Sequence, residues 1–319
     1  MTRVLVTGAG GFVGSQLCEA LCRQNYAVRG ALRTDQPLFD QMTDKAVVGE
    51  IGAGTQWVRA LDGVDCVVHC AARAHRIGDQ LSQQHLYMET NAMGTERLAQ
   101  ACVAAGVRRF VYLSSIKVNG ERSAGRPFSR ADRPAPTDPY AVSKWQGEIR
   151  LREIAAGSGM ETAIVRSPLV YGPRVRANFL RLLHWVDARL PLPFGAVKNS
   201  RSLVSVWNLC SLIERLLRDA IPEHGVFMLS DGTDLSTPEL IRKMGVALSR
   251  PARLLPVPVP VLRMLGALSG RSAEVERLCG SLNVDISSTC SELGWRPPLG
   301  VDEGLARTAG WYQSRGHEP

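Results

Sequence analysis

The feature that most constrains this chain is a glycine-rich turn set between a short apolar run and a helical pattern. Val4, Leu5 and Val6 form the run and predict a buried parallel strand. Gly8, Gly11 and Gly14 follow at G-x-x-G-x-x-G spacing. Leu17 and Leu21, with Cys18 and Cys22, then give residues 15–22 a helical period. A strand, a glycine turn and a helix in that order aim free backbone N–H groups and the positive helix end at a pyrophosphate. An ordinary tight turn needs neither the strand before it nor the helix after it, so a dinucleotide-binding α/β fold is expected.

The end of the second predicted strand, residues 26–32, bears on the cofactor. A site for NAD usually places Asp or Glu there to accept from the ribose hydroxyls. Leu32 and then Arg33 stand there instead. Arg33 suits a 2′-phosphate through charge-assisted hydrogen bonds, whereas Asp35 suits the ribose, so NADP(H) is favoured and NAD(H) stays open. Residues 46–51 predict a third strand, with Glu50 near the adenine. Residues 65–72 predict a fourth, whose small residues let the backbone approach a cofactor. His69 reads as a packed histidine at that strand's end rather than a ligand. A helix is predicted over 89–105, and residues 110–115 form a fifth strand ending in two serines.

Tyr140-Ala-Val-Ser-Lys144 carries the chemistry. A lysine four residues after a tyrosine lies one turn along the same helix face. Its charge favours the phenolate and draws the tyrosine pKa down from about 10 toward the working range. Ser115, upstream, is placed to hold and polarise a carbonyl or alcohol oxygen.

The order of these parts resembles the extended short-chain dehydrogenase/reductase family of nucleotide-sugar epimerases, dehydratases and ketoreductases. The resemblance rests on residues 7–14, His69-Cys-Ala-Ala72, Asn91-x-x-Gly94-Thr95, Ser114-Ser115, Tyr140-x-x-x-Lys144 and Arg166-Ser-Pro-Leu-Val-Tyr-Gly-Pro173. It continues through residues 195–209, Leu293-Gly-Trp295-x-Pro297 and Gly304-Leu305. It implies a doubly wound parallel Rossmann sheet over 1–167, to which the chain returns in part of its second half, and a smaller, mainly substrate-binding domain over 168–319. Ser115, Tyr140 and Lys144 are implied to be catalytic. The dinucleotide is implied to touch Thr7, Gly8, Gly11, Phe12, Val13, Gly14, Arg33, Glu50, Ile51, Ala71, Ala72, Asn91, Tyr140, Lys144 and Pro168. Homodimer formation through the helix of Tyr140 and the helix over 91–105 is also implied. Every catalytic position is filled, which argues against the contrasting class of a non-catalytic NAD(P)-sensing protein.

Composition fits a soluble cytoplasmic enzyme. The 319 residues allow a large core. The eight cysteines lack metal-ligand spacing and, with no signal peptide, read as reduced thiols. The longest apolar region, residues 254–268, holds three prolines and Arg263, too short and broken to span a bilayer. It also lacks the charge-rich amphipathic pattern of a peripheral membrane contact. The formal charge of +8 is spread over the chain without a groove-binding motif, which excludes a nucleic-acid partner and leaves a phosphate-bearing substrate.

The resemblance further implies a UDP-sugar held by Asn178, after the Tyr-Gly-Pro turn, and by Arg201, whose guanidinium suits a diphosphate. A second arginine of that kind is Arg271 or Arg277. The 4,6-dehydratases of the family place an Asp-Glu pair after the hydroxyl residue for water elimination. Here Ile116-Lys117 stand there, so dehydration is not expected. Lys117 is expected at the rim of the site. Ser114–Glu121 resembles bacterial reductases of O-antigen sugars that form UDP-N-acetylquinovosamine. With Arg33, this favours NAD(P)H-dependent reduction of a UDP-linked 4-keto-6-deoxy-N-acetylhexosamine, with UDP-hexose 4-epimerisation as the alternative.

Overall fold

The computed structural model describes residues 1–37, 42, 44–73, 83–123, 125–222 and 225–314. Its strands are β1 (Arg3–Thr7), β2 (Ala27–Leu32), β3 (Lys45–Val47), β4 (Cys66–His69), β5 (Arg109–Ser115), β6 (Glu161–Ser167), β7 (Leu169–Tyr171), β8 (Pro191–Leu192), β9 (Leu203–Ser205), β10 (Gly225–Met228) and β11 (Arg253–Leu254). Its α-helices are α1 (Phe12–Arg23), α2 (Val58–Leu61), α3 (Gln84–Tyr87), α4 (Gly94–Ala104), α5 (Pro139–Ala155), α6 (Ala177–Asp187), α7 (Val206–Arg218), α8 (Thr237–Ala247), α9 (Val259–Leu268), α10 (Ser272–Cys279), α11 (Ser287–Leu293) and α12 (Val301–Ser314).

Seven strands form one sheet in the order β10-β6-β5-β4-β1-β2-β3, and every pair is parallel. The chain leaves β1 toward one edge and returns at β4 to build the other half. The switch point therefore lies between the carboxyl ends of β1 and β4, where Thr7 pairs with His69. Open α/β sheets bind ligands at that point. This is the doubly wound sheet expected from the sequence.

Alternation along β1 explains the layers. Val4 and Val6 pack on one face with Leu17 and Leu21 of α1 and Leu209, Leu212 and Ile213 of α7. Leu5 points to the other face, with Val67, Leu98, Phe110 and Leu151. Helix α7 lies beyond residue 168 and packs on the sheet. A separate apolar cluster joins Tyr171, Phe179, Leu183, Ile241 and Leu305 from α6, α8, α12 and neighbouring segments, the smaller layer. Two parallel strand pairs, β7 with β9 and β8 with β11, stiffen it.

Three elements differ from the sequence reading, the first being the fourth strand, which ends at His69 rather than at Ala72. The third strand stops at Val47 rather than running to Ile51, because Gly49 takes φ +75° and turns the chain away. The helix expected over 89–105 starts earlier, at Gln84, and passes through a π-helical turn over Met88–Met93 before α4. Sequence periodicity hides such a turn, since one inserted residue shifts the face without breaking the apolar pattern.

Candidate active site

The glycine turn is built by close approaches. Gly8 has φ +68°, and a Cβ there would lie 3.0 Å from the Ala71 backbone; one at Gly14 would collide with the Gly8 carbonyl. Helix α1 then begins with Gly11 as N-cap, without a side-chain cap and without an acidic residue in its first turn. Its orphan N–H groups and positive end fit a pyrophosphate.

Thr7 and His69 brace this turn from below. His69 is fully buried, its Nδ1 lies 2.7 Å from the Thr7 hydroxyl and its Nε2 3.2 Å from that of Thr95. The Thr7 Oγ1 also accepts from the Ala71 N–H at 3.1 Å. Burial, with Lys144 adding, pushes the imidazole down to about 3, so it is neutral and structural, the packed histidine of the sequence reading.

Ser115 ends β5 and caps a short 3-10 turn over Ile116–Val118, its hydroxyl accepting from the Lys117 N–H at 3.3 Å. Tyr140 is in the first turn of α5, which Asp138 starts by accepting from the Ala141 N–H at 2.6 Å, with Pro139 at the first helical position. Burial, with Asp138 adding, pushes the Tyr140 phenol up to about 12, against an opposing pull from Ser115.

Lys144, one turn on, is buried with its Nζ 4.1 Å from the centroid of the Tyr112 ring. Burial lowers its ammonium to about 7, against an opposing pull from Glu148. The expected downward draw of Lys144 on Tyr140 is therefore not seen in the protein alone. A lysine held in an apolar wall is only partly charged at neutral pH.

Asn91 sits in the π-turn. Its side chain is held by the backbone of Arg73, at 2.8 and 3.2 Å, and by Ser143 at 2.9 Å. It thus ties the end of the β4 loop to α5. The turn frees the Asn91 carbonyl, which accepts from Thr95 Oγ1 at 2.7 Å and the Tyr112 hydroxyl at 3.3 Å. Gly147 allows α5 this approach: a Cβ there would lie 2.6 Å from that carbonyl oxygen.

A cavity of about 480 Å³ opens over Ser115 and Tyr140. It gathers Lys117, Pro168, Asn178 and Arg201, all singled out from sequence, and Arg277 rather than Arg271. Arg271 is exposed at the start of α10 and does not line the cavity. Arg277, further along the same helix, lines it. Arg201 is partly committed to the protein, donating to the Arg277 and Gly280 carbonyls at 2.8 and 2.9 Å. Lys117 is at the rim, ion-paired to Asp138 and, at 3.2 Å, to Glu121. Sequence reasoning missed Asp138, although an Asp before Pro at a helix start is an N-cap signal. It also missed Arg122 and Glu276, which pair across the cavity wall.

The two residues that bore on the cofactor meet each other. Arg33 and Glu50 form an exposed ion pair at 3.2 Å. Ile51 packs toward Gly94, and Ala72 is exposed beside Ala71. Phe12 and Val13 pack partly against the core. No group of three or more potential metal ligands occurs among the described residues.

A parallel Rossmann sheet with an uncapped glycine turn at its switch point, Ser115 and Tyr140 facing a cavity and Lys144 buried one turn behind them is the arrangement of a nucleotide-dependent enzyme of the short-chain dehydrogenase/reductase kind. The chain belongs to the NAD dependent epimerase/dehydratase family, whose model matches residues 4–229. It is 43% identical over 315 residues to a UDP-glucose 4-epimerase of Vibrio cholerae, covering 96% of this chain and 94% of that protein. It is 28% identical to the N-acetyl-alpha-D-glucosaminyl-diphospho-ditrans,octacis-undecaprenol 4-epimerase of Escherichia coli O157:H7, over 96% of this chain and 93% of that one. Among solved structures, MoeE5 in complex with UDP-glucose and NAD matches with a TM-score of 0.80 at 26% identity, covering 99% of this chain and 100% of that one.

Proposed function

We propose that this enzyme is a UDP-hexose 4-epimerase using NAD. The observation that carries the reading is the floor of the cavity. Ser115 and Tyr140 meet there, while the next two positions hold Ile116, which is buried, and Lys117, which is already ion-paired. Such a floor can serve proton and hydride transfer at one carbon but has no acid directly after Ser115 for eliminating water. The carboxylates that line the cavity, Glu121, Asp138 and Glu276, are ion-paired to Lys117 and Arg122. NAD, when bound at the glycine turn, supplies the acceptor and donor of the hydride. The Tyr140 phenolate, which the positive charge of a bound NAD would favour, takes the proton of the sugar 4-hydroxyl and later returns it, while Ser115 holds the same oxygen. Lys144 and the π-turn keep the α5 face in register with the turn. Asn178, Arg201 and Arg277 hold the diphosphate at the far end of the cavity, so that the sugar end stays in reach of Tyr140.

The sequence reading favours reduction with NADPH, on Arg33 and on residues 114–121. Two findings weigh the other way. Arg33 is engaged by Glu50 rather than free for a 2′-phosphate. The relative at 43% identity is named a 4-epimerase. Reduction of a UDP-linked 4-keto-6-deoxy sugar is kept as the second reading because Lys117 lines the cavity in the segment that resembles those reductases. Pairing of two copies through α4 and α5 belongs to either reading. Incubating the purified enzyme with UDP-glucose or UDP-N-acetylglucosamine, without added reductant, separates them. Formation of the galacto epimer supports the proposal. Its absence, with NADPH consumed against the 4-keto sugar, selects reduction.

A further inference from the structure

Helix α9 is packed in an unusual way for a water-facing helix. Its inward side is narrow, formed by Leu262 and by Gly266, whose missing side chain lets Val275 of α10 approach. Its outward side carries Val261, Met264, Leu265 and Leu268, which are 38%, 56%, 51% and 79% exposed. These four fall at i, i+3, i+4 and i+7, so they form one continuous apolar stripe on the surface. An exposed stripe of this kind, unlike scattered single residues, marks an interaction surface.

The charges around the stripe indicate what covers it. Residues 250–271 contain Arg250, Arg253, Arg263 and Arg271 and no Asp or Glu. Arg250 pairs with Asp187 and Arg263 with Glu276. Arg253 and Arg271 are exposed, with no carboxylate partner among the described residues. Arg271 follows α9 in the chain and Arg253, in β11, precedes it. An apolar helix face bordered by arginines is complementary to the headgroup and upper acyl region of an anionic bilayer. A two-fold contact between copies would instead bring this acid-free segment against itself, with arginine facing arginine. No described helix is long and apolar enough to cross a membrane, so the contact is with the surface.

We infer that α9 is a peripheral docking element by which this enzyme binds anionic lipid surfaces. The sequence alone gave no such pattern, because only the packing shows which side of the helix is left outward. Docking has a consequence for the site. Helix α10, against which α9 packs, contributes Ala273, Glu276 and Arg277 to the cavity, so a docked enzyme holds that cavity wall next to the membrane surface. The inference is independent of which sugar reaction the enzyme performs.

The test is co-sedimentation of the full chain with vesicles of phosphatidylcholine alone or with phosphatidylglycerol as one third of the lipid. The wild-type protein is expected to partition at least about tenfold more strongly onto the anionic vesicles and to lose most of that binding in 0.5 M salt. Leu265→Glu/Leu268→Glu is expected to lower the partition constant at least about tenfold, with the melting temperature and circular dichroism of the wild type. Arg253→Ala/Arg271→Ala, which keeps the stripe, is expected to lose the preference for anionic lipid. Absence of binding to either vesicle overturns the inference, as does binding that the Leu265→Glu/Leu268→Glu variant retains. A concentration-dependent dimer that only this variant abolishes, without vesicle binding by the wild type, overturns it in favour of a second copy.

Discussion

Glu148 and Arg166 form a buried ion pair one turn beyond Lys144, with Arg166 Nη2 2.6 Å and Nε 3.0 Å from the two carboxylate oxygens of Glu148. The Ser114 hydroxyl donates to the same carboxylate at 2.6 Å, and Arg166 Nη1 donates to Asn119 at 3.0 Å. This network joins β5 and β6 to α5 directly behind Ser115, Tyr140 and Lys144. Its partners satisfy most of the donors and acceptors, which is the condition under which a buried charge pair is tolerated.

Removing one partner leaves an uncompensated buried charge. Glu148→Ala is expected to lower stability by about 3–5 kcal/mol in urea unfolding. Glu148→Gln keeps the shape and some hydrogen bonds and is expected to lose less. A loss below about 1 kcal/mol for the alanine variant would show that the pair is not buried as described.

Lys144 imposes a pH-dependent penalty on folding. Its ammonium is lowered from an ordinary value of 10.5 to about 7, chiefly by burial. Between these values the unfolded chain binds a proton that the folded protein lacks, so this group makes stability rise with pH from about 7 toward 10.5. Below about 7 its penalty is fully present. Lys144→Met is therefore expected to stabilise the protein at pH 6 by up to a few kcal/mol, at about 1.4 kcal/mol per unit. The gain should shrink as pH approaches 10, and activity should be lost at every pH. Melting curves across that range check the slope.

The cavity discriminates between two neighbouring arginines. Arg277→Ala is expected to weaken UDP binding at least about tenfold, the loss of a charge-assisted contact. Arg271→Ala is expected to change it less than about twofold. Calorimetric titration with UDP tests the pair, and the reverse order would mean that α10 is turned the other way.

Arg33 is expected to matter little to NAD. Its exposed pair with Glu50 contributes at most about 1 kcal/mol, so Arg33→Ala should change NADH affinity less than about threefold. A tenfold loss confined to NADPH would restore the reading of Arg33 as a 2′-phosphate ligand and favour reduction.

What the sequence makes legible is local. Gly8, Gly11 and Gly14 announce the turn because three close approaches must fall within one strand-to-helix connection. Tyr140 and Lys144 announce a helix face because four residues make one turn. The cavity residues Asn178 and Arg201 were reached through resemblance, and the choice between Arg271 and Arg277 needed the helix orientation. The Glu148–Arg166 pair joins positions 18 residues apart on different elements, and no periodicity links them. The π-turn adds a residue without changing the apolar pattern. The α9 stripe lies in an apolar region of the sequence, and it is outward because Leu262 and Gly266 pack on the opposite side.

The most direct test of the central claim is an NMR time course of UDP-glucose and of UDP-N-acetylglucosamine with the purified enzyme and NAD, compared with Tyr140→Phe. The account predicts that the wild type forms the galacto epimer of at least one sugar without net consumption of cofactor. It also predicts that Tyr140→Phe binds NAD but is slower by about 10²-fold or more. Failure of the wild type to interconvert either sugar, with stoichiometric oxidation of NADPH or NADH by a 4-keto-6-deoxy UDP-sugar, would contradict it.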